Sequence, residues 1–139
     1  MPFAMNKSPA IVMTRLDVQR LEKVMAEIPA PLEMLEALED EMLRARVISH
    51  KQIASDVVTM NSTVRFVDEA NDRELVLTLV YPDQAGRPGT ISVLAPVGMA
   101  LIGLKVGQSI NWQGPAGRPL RLKIIDVVYQ PEANGDFHL

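Results

Sequence analysis

The sequence contains no cysteine, which removes disulfides and thiolate metal sites from consideration and fits a reducing cytoplasm. Aromatic residues are scarce: one Trp, two Tyr and three Phe. His50 and His138 are the only histidines. They lie far apart without ligand spacing, so surface side chains are the plainer reading and no metal centre is expected. No segment approaches the ~18 continuous apolar residues of a membrane span. Met1 to Ile11 carries Lys7 but no apolar run of signal-peptide length. A serine nucleophile elbow, a phosphate-binding loop and a zinc-helix motif are all missing. Gly86-Arg87-Pro88-Gly89 lacks the lysine and helix start of a phosphate loop. No cofactor is expected. Excess positive charge is absent too. The formal net charge is −3, so no broad basic surface is offered to nucleic acid and no direct reading of its sequence is expected.

What is present is ordinary for a soluble globular chain: 139 residues, 47% hydrophobic and 22% charged. That length suits one domain with a core and a small appendage. The eight glycines all follow residue 85, which divides a helical N-terminal part from a strand-and-turn C-terminal part. Thr14 is a good N-cap, with Asp17 as its acidic partner three residues on. Val18, Leu21, Met25 and Ile28 then recur at three, four and three, a coiled-coil-like seam. Pro29-Ala30-Pro31 breaks the helix. Leu35, Leu38, Met42 and Ala45 repeat the spacing on a second helix that starts near Leu32. So short a connection makes the two helices antiparallel, and about fifteen residues each give a hairpin of about 22 Å.

Residues 49–60 have mixed polarity and no period, and read as a linker with one helical turn. Thr63 to Val67 and Glu74 to Tyr81 read as strands about an Asn71-Asp72 turn, the second partly covered on both faces. Asp83 to Gly89 is a loop and Thr90 to Leu94 a third strand. Pro96 opens a short helix, where its missing donor costs nothing. Gly107 to Trp112 is a fourth strand, Gly114-Pro115-Ala116-Gly117 a hairpin turn, and Leu120, Leu122 and Ile124 mark a fifth strand with an irregularity at Ile125-Asp126-Val127. The tail from Gln130 reads as loosely held. The eight methionines read as packing filler.

The run Ser92 to Gly107, with Pro96, Gly98, Gly103 and Gly107 at their spacing, resembles the C-terminal domain of the bacterial Gre transcript-cleavage factors. Within that group it is most similar to the nucleoside diphosphate kinase regulator family, as are Asp56 to Ser62 and Tyr129 to Ala133. The resemblance implies an α+β fold. A short antiparallel helical hairpin (1–48) would precede a Gre C-terminal-like domain (49–139), a bent antiparallel sheet with one short helix, similar to FK506-binding prolyl isomerases. It also implies a cytoplasmic, non-enzymatic regulator that binds RNA polymerase near its secondary channel and competes with Gre-type factors, with an indirect effect on nucleoside diphosphate kinase levels. By the same resemblance Ala95, Pro96 and Val97 form the surface that docks on the channel rim.

The acidic run Glu33, Glu36, Glu39, Asp40 and Glu41 is uninterrupted by any basic residue. Glu33, Glu36 and Asp40 share one helical face. Acids near a helix N-terminus favour the helix dipole by ~0.3–1 kcal/mol and face water. The alternative is an acidic hairpin that meets a basic channel or Mg²⁺, as the acidic pair at a Gre tip does. Here the turn is Ile28-Pro29-Ala30-Pro31, without such a pair. Three other readings remain: a transcript-cleavage cofactor, a weak prolyl isomerase, and a homodimeric interaction module. The few aromatics argue against an isomerase pocket.

Overall fold

The computed structural model describes residues 10–113 and 119–136. The expected turn from Gly114 to Gly117, His138 and the first nine residues lie outside them. The chain enters through β1 (Val12–Thr14) and passes directly into α1 (Arg15–Glu27). Thr14 caps this helix, its Oγ1 accepting from the Asp17 N–H at 3.0 Å. The Asp17 carboxylate faces back to Thr14 and also accepts from the Met60 N–H at 3.0 Å, a buried donor outside any strand ladder that needs a partner. After Pro31, α2 runs from Leu32 to Arg44 and leads into β2 (Arg46–Ile48). Both helices have 13 residues, so each is about 20 Å long. β1 and β2 pair in parallel, Val12 opposite Arg46 and Thr14 opposite Ile48. This clip was not expected, because three residues are too few to show alternation.

The hairpin seam is closed at Leu21, Leu38 and Met42, which are buried. Val18, Met25 and Ala45 are only partly covered. Beside the seam the helices leave a groove of roughly 310 Å³, with Met25 and Leu43 on its walls. Leu32 and Leu43 are largely exposed, at 69% and 77%.

The second part is a five-stranded sheet of β3 (Thr63–Asp68), β4 (Arg73–Val80), β5 (Thr90–Ser92), β6 (Ser109–Gln113) and β7 (Pro119–Tyr129), in the order β5-β4-β3-β7-β6. Three pairings are antiparallel. The fourth departs from expectation, since β5 lies parallel to β4. The chain leaves β4 through a single-turn 3₁₀ helix at Pro82–Gln84 and loops back to enter β5 in the same direction. The expected irregularity in the last strand is a bulge: Arg65 faces Asp126 while Phe66 faces Ile124, so Ile125 has no partner. A second shift leaves Val128 out. Both extra residues are exposed. Between β5 and β6 lies α3 (Pro96–Leu101).

One apolar cluster joins both parts, running from Met13, Leu21 and Leu38 through Met60 and Phe66 to Met99 and Leu104. Two expectations fail here. Within the supposed linker, Val57, Val58, Thr59 and Met60 are buried, and Val58 bonds through its N–H to Leu104 and through its carbonyl to Gly103. Apolar residues in a turn carry no period, so burial there is invisible in the pattern. The tail is also held: Gln130 is 2% exposed and its amide donates to the Ala54 and Val57 carbonyls.

Leu21→Ala and Leu38→Ala should each lower unfolding stability by about 2–4 kcal/mol. Leu32→Ala, on an exposed position, should stay within about 0.5 kcal/mol of the parent. Urea titrations followed by circular dichroism check both, and equal losses at all three positions would contradict this packing.

Candidate functional site

The start of α3 is positioned by its own backbone. Pro96 occupies the first turn, and Ala95, the N-cap, supplies no side-chain bond. Ser92 of β5 holds the turn that enters the helix: its Oγ accepts from the Leu94 N–H at 3.1 Å, and its carbonyl accepts from the Ala95 N–H at 3.0 Å. The helix then crosses so close to this residue that a Cβ on Gly98 would lie 2.0 Å from the Ser92 carbonyl oxygen. Only glycine permits the approach.

The crossing aims Ala95, Pro96 and Val97 into a shallow groove of roughly 470 Å³. Ile91 and Leu120 form its apolar side, and Asp68 and Asn71 of the β3–β4 turn form its polar side. Asp68 sets that turn, its carboxylate accepting from the Ala70 N–H at 3.1 Å and from the Asn71 side-chain amide at 2.8 Å. The groove thus has a partly buried apolar floor and one carboxylate at its edge, suited to a complementary protein surface. The structure brings the three sequence-predicted residues together. Asp68, Asn71 and Leu120 were missed as neighbours, although the Asn71-Asp72 turn was readable as a turn.

Glu33, Glu36 and Asp40 are exposed along α2 and do not enter this groove. Of the acidic run only Glu41 is buried, and it accepts from Arg44 Nε at 3.1 Å. Among the described residues no group of three or more histidine and acidic side chains is placed to hold a metal, and no helix is long and apolar enough to cross a membrane. His50 is half-buried rather than on the surface.

A second polar cluster lies where the hairpin meets the sheet, and sequence reasoning missed it. Thr59 to Ser62 form a tight turn in which Ser62 Oγ accepts from the Thr59 N–H at 3.0 Å. Thr59 Oγ1 donates to Glu132 Oε1 at 2.8 Å, while Asp17 takes the Met60 N–H. Burial pushes the Asp17 carboxyl up to about 7, against the lowering effect of the Met60 hydrogen bond; the Glu132 charge raises it further and Arg20 lowers it. Tyr81, beside them, is pushed above the usual phenol range by burial first and then by the Asp17 charge. Tyr129 is pushed up to about 12, chiefly by donating to Asp136.

Comparison with known proteins bears on both parts of the chain. Residues 53–129 match the family model for the C-terminal part of transcription elongation factor GreA/GreB, and residues 9–48 match that of the Rnk N-terminus. The chain is 42% identical over 134 residues to the regulator of nucleoside diphosphate kinase of Escherichia coli strain K12, across 94% of this chain and 98% of that protein. It is 38% identical over 84 residues to transcription elongation factor GreA of Rhodospirillum rubrum, across 60% of this chain and 54% of that factor. Among solved structures it is similar to a prokaryotic transcription elongation factor GreA/GreB from Nitrosomonas europaea. The TM-score is 0.68 and the identity 44%, covering 88% of this chain and all 100% of the other.

Gly98→Ala should cost about 3 kcal/mol, the upper end of over-packing penalties, because the obstacle is backbone rather than a movable side chain. Denaturant unfolding measures the loss. A fully stable Gly98→Ala protein would show that α3 does not depend on this close approach.

Proposed function

The chain belongs to the regulator of nucleoside diphosphate kinase family, in which an Rnk N-terminal hairpin precedes a GreA/GreB-type C-terminal domain, and from this we propose that it binds RNA polymerase beside the secondary channel and competes there with Gre-type factors. The observation that carries the reading is the groove formed by Ala95, Pro96 and Val97, with Ile91 and Leu120 behind them, inside the GreA/GreB-type domain. An apolar floor beside a carboxylate suits a protein rim better than a small-molecule substrate. Residues 49–139 act as the docking unit and residues 1–48 as the unit that enters the channel mouth. The protein works in the cytoplasm and by occupancy, not by catalysis of its own. Its effect on nucleoside diphosphate kinase is an indirect result of changed transcription.

The length and chemistry of the hairpin support occupancy. Rescue of Mg²⁺ at a catalytic centre needs carboxylates in direct or water-mediated reach of the ion. The connection from Ile28 to Pro31 carries none. Glu33, Glu36 and Asp40 point into water from helices only about 20 Å long. They present negative charge to a basic channel wall. The competing reading, a cleavage cofactor, draws on Glu33 in the first turn of α2.

Purified protein should co-elute with core RNA polymerase and be displaced by a Gre factor. Pro96→Asp should weaken binding at least tenfold, about 1.4 kcal/mol, with an unchanged circular dichroism spectrum, because it places a charge in a desolvated contact. Full affinity of a folded Pro96→Asp protein would remove the docking assignment.

In stalled, backtracked complexes the protein alone should not stimulate transcript cleavage, and it should inhibit cleavage driven by an added Gre factor. Denaturing gels of end-labelled RNA give the readout. Strong cleavage that is lost in Glu33→Ala/Glu36→Ala would establish the cofactor reading instead.

A further inference from the structure

The turn from Thr59 to Ser62 is gripped from opposite ends of the sequence. From α1, Asp17 Oδ2 takes the Met60 N–H at 3.0 Å. From the C-terminal turn, Glu132 Oε1 takes the Thr59 hydroxyl at 2.8 Å. Asp17 is 1% exposed, so its ionised form has lost almost all its water. The groups that face it come from every side: Arg20 one turn further along α1, Tyr81 at the end of β4, Glu132 across the turn, and the Thr14 hydroxyl at the cap. Burial and Glu132 oppose a charge on Asp17. Arg20 and the Met60 N–H favour one.

We propose that Asp17 is a proton-operated latch that sets how firmly the helical hairpin is seated on the sheet. When protonated, the carboxyl is neutral, avoids the cost of burying a charge, and still offers an oxygen to the Met60 N–H. When ionised, it is a buried anion facing a second carboxylate, and swinging α1 away returns it to water. The seated state therefore binds the proton more tightly than the opened state. The Asp17 carboxyl titrates at about 7 when seated, against 3.8 for a free aspartate. By linkage, seating is firmest at acid pH. It weakens by up to tenfold per pH unit between about 4 and 7, and is constant above that. The sign is opposite to that of an ion-paired aspartate, which stabilises on ionising. The latch is intrinsic to the fold and does not depend on which partner the hairpin meets.

The absence of cysteine makes the test clean. Ala26→Cys on α1 and Lys123→Cys on β7, both exposed, accept spin labels in the full chain, and pulsed electron resonance gives the distance between hairpin and sheet. At pH 5.5 a single narrow distance distribution is expected. A second, longer component should grow several-fold by pH 8.5. Asp17→Asn keeps an acceptor for the Met60 N–H without the charge, and should give the narrow distribution at both pH values. Superimposable distributions in the parent, or a pH response that survives in Asp17→Asn, would overturn the latch. A direct check needs no variant: the Asp17 carboxyl carbon, followed by NMR in the labelled parent, should titrate near 7, and a midpoint near 4 would refute the proposal. Glu132→Gln, which removes the facing charge, should lower that midpoint.

Discussion

The contact on which the rest of the molecule depends is the backbone approach at Gly103. Its carbonyl accepts from the Val12 N–H at 3.1 Å, and its N–H donates to the Val58 carbonyl at 2.9 Å. A Cβ here would lie 2.7 Å from Ile11 Cβ, and φ is +84°, a left-handed value that favours glycine. Three segments distant in sequence meet at this one residue: the strand that starts the hairpin, the buried 57–60 stretch, and the end of α3. Its two backbone bonds act beside the Asp17–Met60 bond from α1 in joining the hairpin to the sheet. With them, the apolar side chains of Met13, Leu21 and Leu38 continue into the same core as Phe66 and Met99.

The arrangement explains why the two halves of the sequence read so differently and yet fold as one body of packing. A periodic pattern reports how one face of a long element is covered, and it revealed both helices, the β3–β4 hairpin and β7 with its bulge at Ile125. Pro96 revealed the start of α3 because it answers a local backbone need, whereas Gly98 and Gly103 answer close approaches to Ser92 and Ile11. What escaped is held by tertiary hydrogen bonds between short, aperiodic pieces. β1 and β2 are three residues each. Val57 to Met60 is buried by partners far along the chain. Gln130 is polar and looks like a tail residue, yet two carbonyls satisfy its amide.

The same distinction holds for the groove and for the junction. Ala95, Pro96 and Val97 were named through the resemblance of their segment to the Gre C-terminal domain. Their neighbours Asp68 and Leu120 come from other elements, and nothing in their local sequence marks them. The cluster around Asp17 shows the limit more sharply. Asp17 reads as a capping residue because Thr14 precedes it by three, and the cap itself is formed. Its carboxylate has an additional role, visible only once Met60 is beside it. A residue that satisfies one local rule draws no further notice, although its side chain remains free for a second task.

The parallel pairing of β1 with β2 has a consequence for how such a protein can change. The hairpin leaves the body through one strand of the clip and returns through the other, so its root is fixed independently of its tip. Inserting one helical turn in each arm would move the tip outward by about 5.4 Å without altering the clip, the core or the groove at Ala95. Reach is thus an adjustable dimension, separable from the groove at Ala95.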